Sequence, residues 1–482
     1  MEKKSKKHLS VSVNATIVIN TMRGGIGASW HAMAKEIPLV NEKYDYPVRY
    51  HNPRGSAYGA NPPVAEMKKW KQIFGHASWL GLNFIRVELS QRMYEPERGV
   101  FDWNNEEMRA LYRILDWCES NSADVFLQQM WGHVEWNAFP GVHPLLSAPR
   151  SVDDFAAGIT KLLEHLIRRK KYACIKYFCI TNEPPGGTWG YWWAFGQGSG
   201  TITQALKMVR EHLDAAGIDV PLSGPDWTSL PPLDPKQINF DDSVGAYDIH
   251  SYDGIDANAE TIIQDWVRWA HSRNKPFFLT EFGNMNLGWG GDNPGPKSFE
   301  AALSNASDMI RCLNLGVDGM NRWSFVNRGD LDGQWQLIHT WDRRKKQYLG
   351  KILPEHAAYF GFAIISRFIG KYSSVIQSTA EPALPEIQTA AVINRTGELN
   401  ILFLNNGGFP KLVAVDIKGH DAKRNMFLYQ VTQKLVSDTR FSLEPAETLP
   451  NEKGKRVIIL PKKSISVLTN YYLTSDDSGI IQ

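Results

Sequence analysis

Cysteine is scarce in this sequence. Only Cys118, Cys174, Cys179 and Cys312 occur, none in Cys-x-x-Cys spacing and each within an apolar segment. That argues against a disulfide scaffold or a zinc ribbon and for reduced thiols in the core. Excess charge of one sign is missing as well: 53 Lys and Arg face 51 Asp and Glu, for a formal net charge of +2. Neither nucleic acid nor an anionic membrane is therefore expected as the main partner. No apolar run reaches the ~18 residues of a membrane span. The first residues, MEKKSKKHLSVSVNATIVIN, begin basic, but Leu9, Val11 and Val13 then alternate with Ser10, Ser12 and Asn14. That is a strand pattern, not the unbroken apolar stretch of a signal peptide, and the cytoplasm is the expected compartment. Internal repeats and low-complexity tracts are absent.

What is present is a long chain with ample apolar content. Its 482 residues, 43% of them hydrophobic, exceed one ordinary domain and fit one large plus one small domain. Aromatic residues are abundant, with 17 Trp and 17 Tyr. Several tryptophans sit beside Gly and Asn in apparent loops: Trp131, Trp136, Trp189, Trp192, Trp193, Trp289 and Trp335. About half of these are expected to be ordinary core residues. The rest suit flat platforms for the C–H face of a sugar ring.

Short apolar strands alternate with amphipathic helices over most of the chain. Strands are expected near 23–29, 83–90, 124–131, 176–182, 221–226, 246–252, 277–282 and 317–325. Helices are expected at 63–80, 105–120, 151–170, 201–217, 259–273, 298–315 and 353–369, with Ser151 as an N-cap. Only LPPLDPKQINFDD, after the fifth strand, is a poor helix. Eight strands with crossover helices predict a (β/α)8 TIM barrel. An open doubly wound sheet is the other candidate, but no G-x-G-x-x-G follows the first strand. Beyond about residue 372 the runs TAAVIN, LNILFLN, LVAVDI, MFLYQV, RVIIL and ISVLTNYYL predict an antiparallel β-sandwich. The expected organisation is an N-terminal strand at 1–20 joining that sandwich, a barrel at 21–370 and the sandwich at 371–482.

In such a barrel, reacting groups stand at the C-terminal ends of the strands. Taken in order, those ends carry Arg86 and Glu88, then His133, then Asn182 and Glu183, then His250 and Tyr252, then Glu281, then Trp323. Glu183 and Glu281 are separated by about three βα units of ~31 residues, which places them on strands four and seven across the mouth. Carboxyl groups ~5–5.5 Å apart form the pair used by retaining glycosidases. One donates a proton to the leaving oxygen and the other attacks the anomeric carbon. Arg86 and Tyr252, if they reach Glu281, hold it ionised as the nucleophile, which leaves Glu183 as acid and base. Asn182 then faces the sugar 2-hydroxyl, Trp323 floors the ring, and Pro184 stops the ladder so that Glu183 stays at the rim.

Plainer readings apply to some neighbours. His133 and Glu135, in WGHVEWN, lack a third ligand at metal spacing and read as substrate contacts. Glu88 shares a strand face with Arg86 and reads as its ion-pair partner. The run RRKK at 168–171 reads as a solvated helix C-terminus.

These residues together resemble a clan A glycoside hydrolase. Asn182-Glu183-Pro184, Glu281, Arg86, His133, His250-Ser251-Tyr252 and Trp323 are similar to the pattern of the cellulase-type family 5 barrels over roughly residues 20 to 350. The resemblance implies retention of configuration, Glu183 as acid/base, Glu281 as nucleophile, and neither metal nor organic cofactor. The C-terminal region, with SRFIG before it and PKKSISVLT near its end, is similar instead to families 30 and 39, whose sandwiches also borrow an N-terminal strand. Long segments at 30–62, 186–200 and 284–298 and after the eighth strand favour a closed pocket and release of terminal glucose, galactose or xylose units from a glycoside. Trp131, Trp189 and Trp335 are the expected additional sugar contacts. The alternatives are an endo-acting glucanase or mannanase with an extended cleft, a transglycosylase, or a barrel that only binds carbohydrate. Retention of both carboxylates counts against the last.

Overall fold

The computed structural model describes residues 9–32, 61–131, 135–140, 147–184, 198–228, 230–284, 295, 298–326, 335–342, 345, 347–420, 425–450 and 456–473. Its elements in chain order begin with β1 (Leu9–Thr21), β2 (Ile26–Ala28), β3 (Trp30–His31), α1 (Met67–Trp79), β4 (Phe84–Ser90), α2 (Gln91–Tyr94), α3 (Glu106–Ser120), β5 (Asp124–Trp131), α4 (Val152–Leu163), β6 (Ile175–Cys179) and α5 (Gly198–Ala215). The barrel continues with β7 (Leu222–Trp227), β8 (Ala246–Tyr252), α6 (Ala257–Ser272), β9 (Phe277–Gly283), α7 (Phe299–Leu315) and β10 (Gly319–Arg322). A hairpin of β11 (Ile338–Asp342) and β12 (Gln347–Pro354) leads to α8 (His356–Ser366). The remainder is β13 (Ser374–Glu381), β14 (Ile387–Ile393), β15 (Leu399–Asn405), β16 (Lys411–Lys418), β17 (Met426–Thr432), α9 (Gln433–Val436), β18 (Pro445–Leu449), β19 (Arg456–Leu460) and β20 (Ser464–Thr469).

The parallel sheet runs β2-β10-β9-β8-β7-β6-β5-β4-β3. Its two end members are halves of one strand. β2 pairs with β10 and β3 pairs with β4, on either side of Ser29, so the sheet closes into an eight-position barrel. The expected first strand is thus split, because it must serve two neighbours that diverge. The eighth strand is shorter than expected and ends at Arg322, and the fourth ends at Cys179. Beyond Cys179 the chain leaves the ladder: the Thr181 carbonyl accepts from the side chain of Gln128, and Glu183 turns with φ of 44°.

Local chemistry sets the helices. Asn105, Ser151, Asp256 and Ser298 each accept a hydrogen bond from the backbone N–H three residues on, which caps α3, α4, α6 and α7. The 151–170 helix is not uniform. After Leu163 it widens into a π turn over Glu164–Arg169, and Lys170 N donates to the His165 carbonyl. Among the described residues no helix follows the fifth barrel strand beyond the short turn Asp241–Ser243, in line with its proline-rich sequence. No helix among the described residues is long and apolar enough to cross a membrane. All four cysteines are buried and unpaired.

Inside the barrel the layers are ordered. Phe84, Phe126, Cys179, Ala246 and Phe278 fill the lower interior. Two residues further along β4 and β5, the inward positions become Arg86 and Gln128. An apolar floor therefore supports a polar mouth.

The second sheet runs β18-β17-β20-β15-β14-β13-β1-β16-β19. It is antiparallel except where β1 lies parallel to β16. The sheet curls on itself. Leu428 of β17 and Ile458 of β19 share one core with Val11, Val13, Ile401 and Leu468, and Gln430 of β17 donates to the carbonyl of Ile459 at 2.7 Å. This two-layer unit packs on α7 and α8. It also grips the base of the barrel, where Lys371 Nζ lies 2.7 Å from Asp124 and Asn83 Nδ2 donates to the Ile369 carbonyl at 2.9 Å.

Closure leaves no room at Gly27, where an added Cβ would lie 1.7 Å from the Phe84 carbonyl oxygen. Gly27→Ala should lower stability by more than about 3 kcal/mol, since backbone rather than a pliable side chain is in the way. Thermal unfolding, or loss of soluble protein, measures this; an unchanged Tm would contradict the closure described.

Candidate active site

At the barrel mouth one guanidinium organises four strands. Arg86 on β4 is completely buried. Its Nη2 donates to Asn182 Oδ1 at 2.6 Å, its Nε to Gln128 Oε1, and its Nη1 to both Glu88 and Glu281. Burial opposes its charge, but Glu281, Glu88 and Asp226 more than compensate and hold its pKa above the ordinary arginine value. Since guanidinium only donates, Asn182 must present its oxygen to it, which turns the amide Nδ2 away from Arg86.

Glu183 and Glu281 meet around His250. The His250 Nδ1 lies 2.8 Å from Glu183 Oε1 and 3.3 Å from Glu281 Oε2. One carboxylate oxygen of each glutamate and a ring nitrogen of His250 all lie within 4.8 Å of one another. Glu281 also accepts from the hydroxyl of Tyr252. Burial pushes the Glu281 pKa up to about 7, against the pull of Arg86 and His250 and with the Glu183 charge adding to the rise. Arg86 and Tyr252 thus reach Glu281, but burial opposes the ionised state that they favour. His250 is itself raised well above the ordinary histidine value: burial opposes this, but Glu281, Asp226 and Glu183 prevail.

Glu281 points inward because of an extra residue in β9. Against β8 the pairing passes from Ile249–Leu279 to His250–Glu281, and against β10 from Met320–Leu279 to Arg322–Phe282. Thr280 is skipped on both sides, and its hydroxyl donates inward to Asp248 at 3.0 Å. The bulge therefore aims consecutive residues at the interior. β7 has the same device: Pro225 pairs with Asp248 and Trp227 with Ile249, so Asp226 is skipped and adopts φ of 56°.

The expected residues fall into three groups. Arg86, Asn182, Glu183, His250, Tyr252 and Glu281 come together as described. Trp323 is 5% exposed, lies under the Arg86 guanidinium with 5.6 Å to the ring centre, and meets His31 edge to face. Trp335 is 3% exposed and packs on the Tyr252 ring at 5.7 Å and on Gly283. It walls the tyrosine in. His133 and Trp189 lie outside the described residues, as does the side chain of Trp131. Glu183 has His250 beside it, a contact made by a strand far along the chain. Glu88 pairs with Arg86 and also with His31.

Sequence reasoning missed Gln128 and Asp226. Gln128 Nε2 donates to Asp226 Oδ2 at 2.9 Å and to the Thr181 carbonyl at 2.6 Å. The one available signal was a polar pair, Gln128-Gln129, inside an apolar strand, and an acid at the end of SGPDW.

Among the described residues two donor clusters have metal-like composition, Glu183-His250-Glu281 and Cys179-Asp226-Asp248. In the first, both ring nitrogens of His250 face carboxyl groups, Nδ1 that of Glu183 and Nε2 that of Asp226. In the second, burial raises the Cys179 thiol and the Asp248 carboxyl well above their usual ranges.

A (β/α)8 barrel whose mouth joins two carboxylates, an imidazole and a guanidinium is the architecture of a glycoside hydrolase. Residues 48–315, more than half of the chain, match the family model Cellulase (glycosyl hydrolase family 5), and the chain belongs to that family. Among solved structures it is similar to a GH30 endoxylanase from Clostridium papyrosolvens, at 13% identity and a TM-score of 0.63, covering 96% of this chain and 99% of that one. An endo-β1,6-glucanase aligns at 14% identity and a TM-score of 0.62, covering 96% and 94%. A bacterial orthologue of human α-L-iduronidase aligns at 14% and 0.61, covering 96% and 84%. The shared fold spans the C-terminal sheet as well as the barrel, as the resemblance to family 30 implied. No curated protein matches the sequence.

Because Glu281 binds its proton more tightly when folded, its contribution to stability falls as pH rises from about 4.5 towards 7. Glu281→Gln should therefore gain in stability relative to wild type over that interval, by up to about 3 kcal/mol. Urea unfolding at a series of pH values reads the difference; a constant offset would show that burial does not raise this carboxyl.

Proposed function

We propose that this enzyme cleaves β-glycosidic bonds with retention, by double displacement, with Glu281 as nucleophile and Glu183 as acid and base. The observation that carries the reading is the approach of the two carboxylates, with oxygens within 4.8 Å of each other across His250. That approach favours the short ~5–5.5 Å carboxyl separation of a retaining enzyme over the ~6.5–9.5 Å of an inverting one. In the first step Glu281 attacks the anomeric carbon while Glu183 gives its proton to the departing oxygen. In the second, Glu183 takes a proton from water, which attacks the same carbon and releases Glu281. Asn182 supports the sugar 2-hydroxyl: its oxygen is engaged by Arg86, and its Nδ2 makes no hydrogen bond among the described residues. Trp323 supplies the apolar floor.

The substrate reading is an exo-acting β-glycosidase that removes terminal glucose, galactose or xylose, supported by the long segments that follow strands one, four, seven and eight. An endo-acting reading also has support. The xylanase and the glucanase with the same fold carry endo activity in their names.

A panel of aryl β-glycosides tests the chemistry. Glu183→Gln should lose roughly 100- to 10,000-fold in kcat, and Glu281→Gln at least as much. Azide should rescue a Glu281→Gly enzyme and give a glycosyl azide of inverted configuration. Wild-type kcat/KM should decline below about pH 7 as Glu281 takes up a proton. Full activity in both Gln variants would end the assignment. Products from end-labelled β-linked oligosaccharides then decide the mode: single sugars from one end mean exo action, internal cuts mean endo action.

A further inference from the structure

Asp226 is completely buried, and the displacement proposed above does not use it. Its hydrogen bonds nevertheless lead to both reacting carboxylates. Oδ1 lies 3.0 Å from His250 Nε2, and the other nitrogen of that ring faces Glu183 and Glu281. Oδ2 accepts from the backbone N–H of Glu183 at 3.1 Å, at the residue whose φ is 44°. The same oxygen accepts from Gln128, which accepts from Arg86, which donates to Glu281. One carboxylate thus braces the acid from its backbone, the nucleophile through two side chains, and the histidine between them.

The proton count on His250 follows from its neighbours. A carboxylate only accepts, so Nε2 facing ionised Asp226 must carry hydrogen. Nδ1 faces two carboxyl groups and donates to whichever is ionised. The charged and titratable groups around the ring are Glu183 from the turn after β6, Asp226 from β7, Asp248 and Tyr252 from β8 itself, and Glu281 from β9 with Arg86 behind it. Asp248 receives bonds from Ser223 at 2.6 Å and Thr280 at 3.0 Å; burial and the Asp226 charge raise it well above the ordinary carboxyl range, while His250 and Arg86 hold Asp226 below that range against the cost of burial.

We propose that Asp226 is the positioning residue of this active site, fixing His250 as an imidazolium whose Nδ1–H is shared by Glu183 and Glu281. The inference rests on the reading of those two glutamates as the reacting pair. Its consequence is a fixed positive charge that stays beside Glu183 after the glutamate has given up its proton, when esterified Glu281 is neutral. Glu183 is then stabilised as the carboxylate that must deprotonate water.

Asp226→Asn isolates the effect, because the amide oxygen still accepts from Gln128 and from the Glu183 N–H while the NH2 turns to His250. Nε2 must then give up its proton in order to accept. The expected result is a folded enzyme with KM for an aryl glycoside changed less than about threefold and kcat lower by roughly 100-fold. Nitrogen-15 NMR of the His250 ring should show two protonated nitrogens at neutral pH in wild type and a bare Nε2 in the variant. An unchanged kcat and pH profile in folded Asp226→Asn would overturn the proposal. So would a bare Nε2 in the wild-type enzyme, a measurement that needs no variant to fold. Full activity of both glutamate variants would instead defeat the catalytic assignment, while the NMR result would still decide what Asp226 does to the ring.

Discussion

A guanidinium that no water touches is the constraint around which this molecule is arranged. Arg86 cannot lose its proton and cannot leave a donor unmet, for an unpaired buried charge costs several kcal/mol. It must therefore collect acceptors, and it takes them from its own strand, from β5, from the turn after β6 and from β9. Each acceptor is fixed in turn by further bonds. The mouth of the barrel forms as one network, and no member can move without leaving a charge or a buried polar group unsatisfied.

The network also accounts for how two glutamates can sit so close together. Burial and the Glu183 charge both favour protonation of Glu281. Arg86 and the His250 imidazolium restore the balance from opposite sides, which leaves Glu281 near neutrality rather than far above it. A carboxyl poised there is able to attack and able to depart.

Stability is concentrated elsewhere. The polar mouth rests on a phenylalanine-rich layer, and the C-terminal sheet clamps the opposite end and the α7–α8 side of the barrel. β1 strengthens that clamp. It lies between β13 and β16, inside the second sheet, then passes directly into β2 of the first. The two units are thus tied by the start of the chain as well as by its later course. Separating a rigid base from a reactive rim is what lets strained residues such as Glu183 and Asp226 persist.

Much of this could be read from residue order. Alternating apolar strands and amphipathic helices specified the barrel, because burial of one face dictates the period of each element. The strand ends carried Arg86, Asn182, Glu183, His250, Tyr252 and Glu281, because a barrel brings only those ends together. What pairing alone decided was direction. Strict alternation along β7 and β9 would not turn Asp226 and Glu281 inward next to Ser223 and Thr280; one skipped residue in each strand does so, and a skip exists only relative to a neighbouring strand. Asp226 was illegible for that reason, and Gln128 because its meaning lies in what it bridges. Sequence determined which groups are available at the rim, while the tertiary fold decided which of them share a proton.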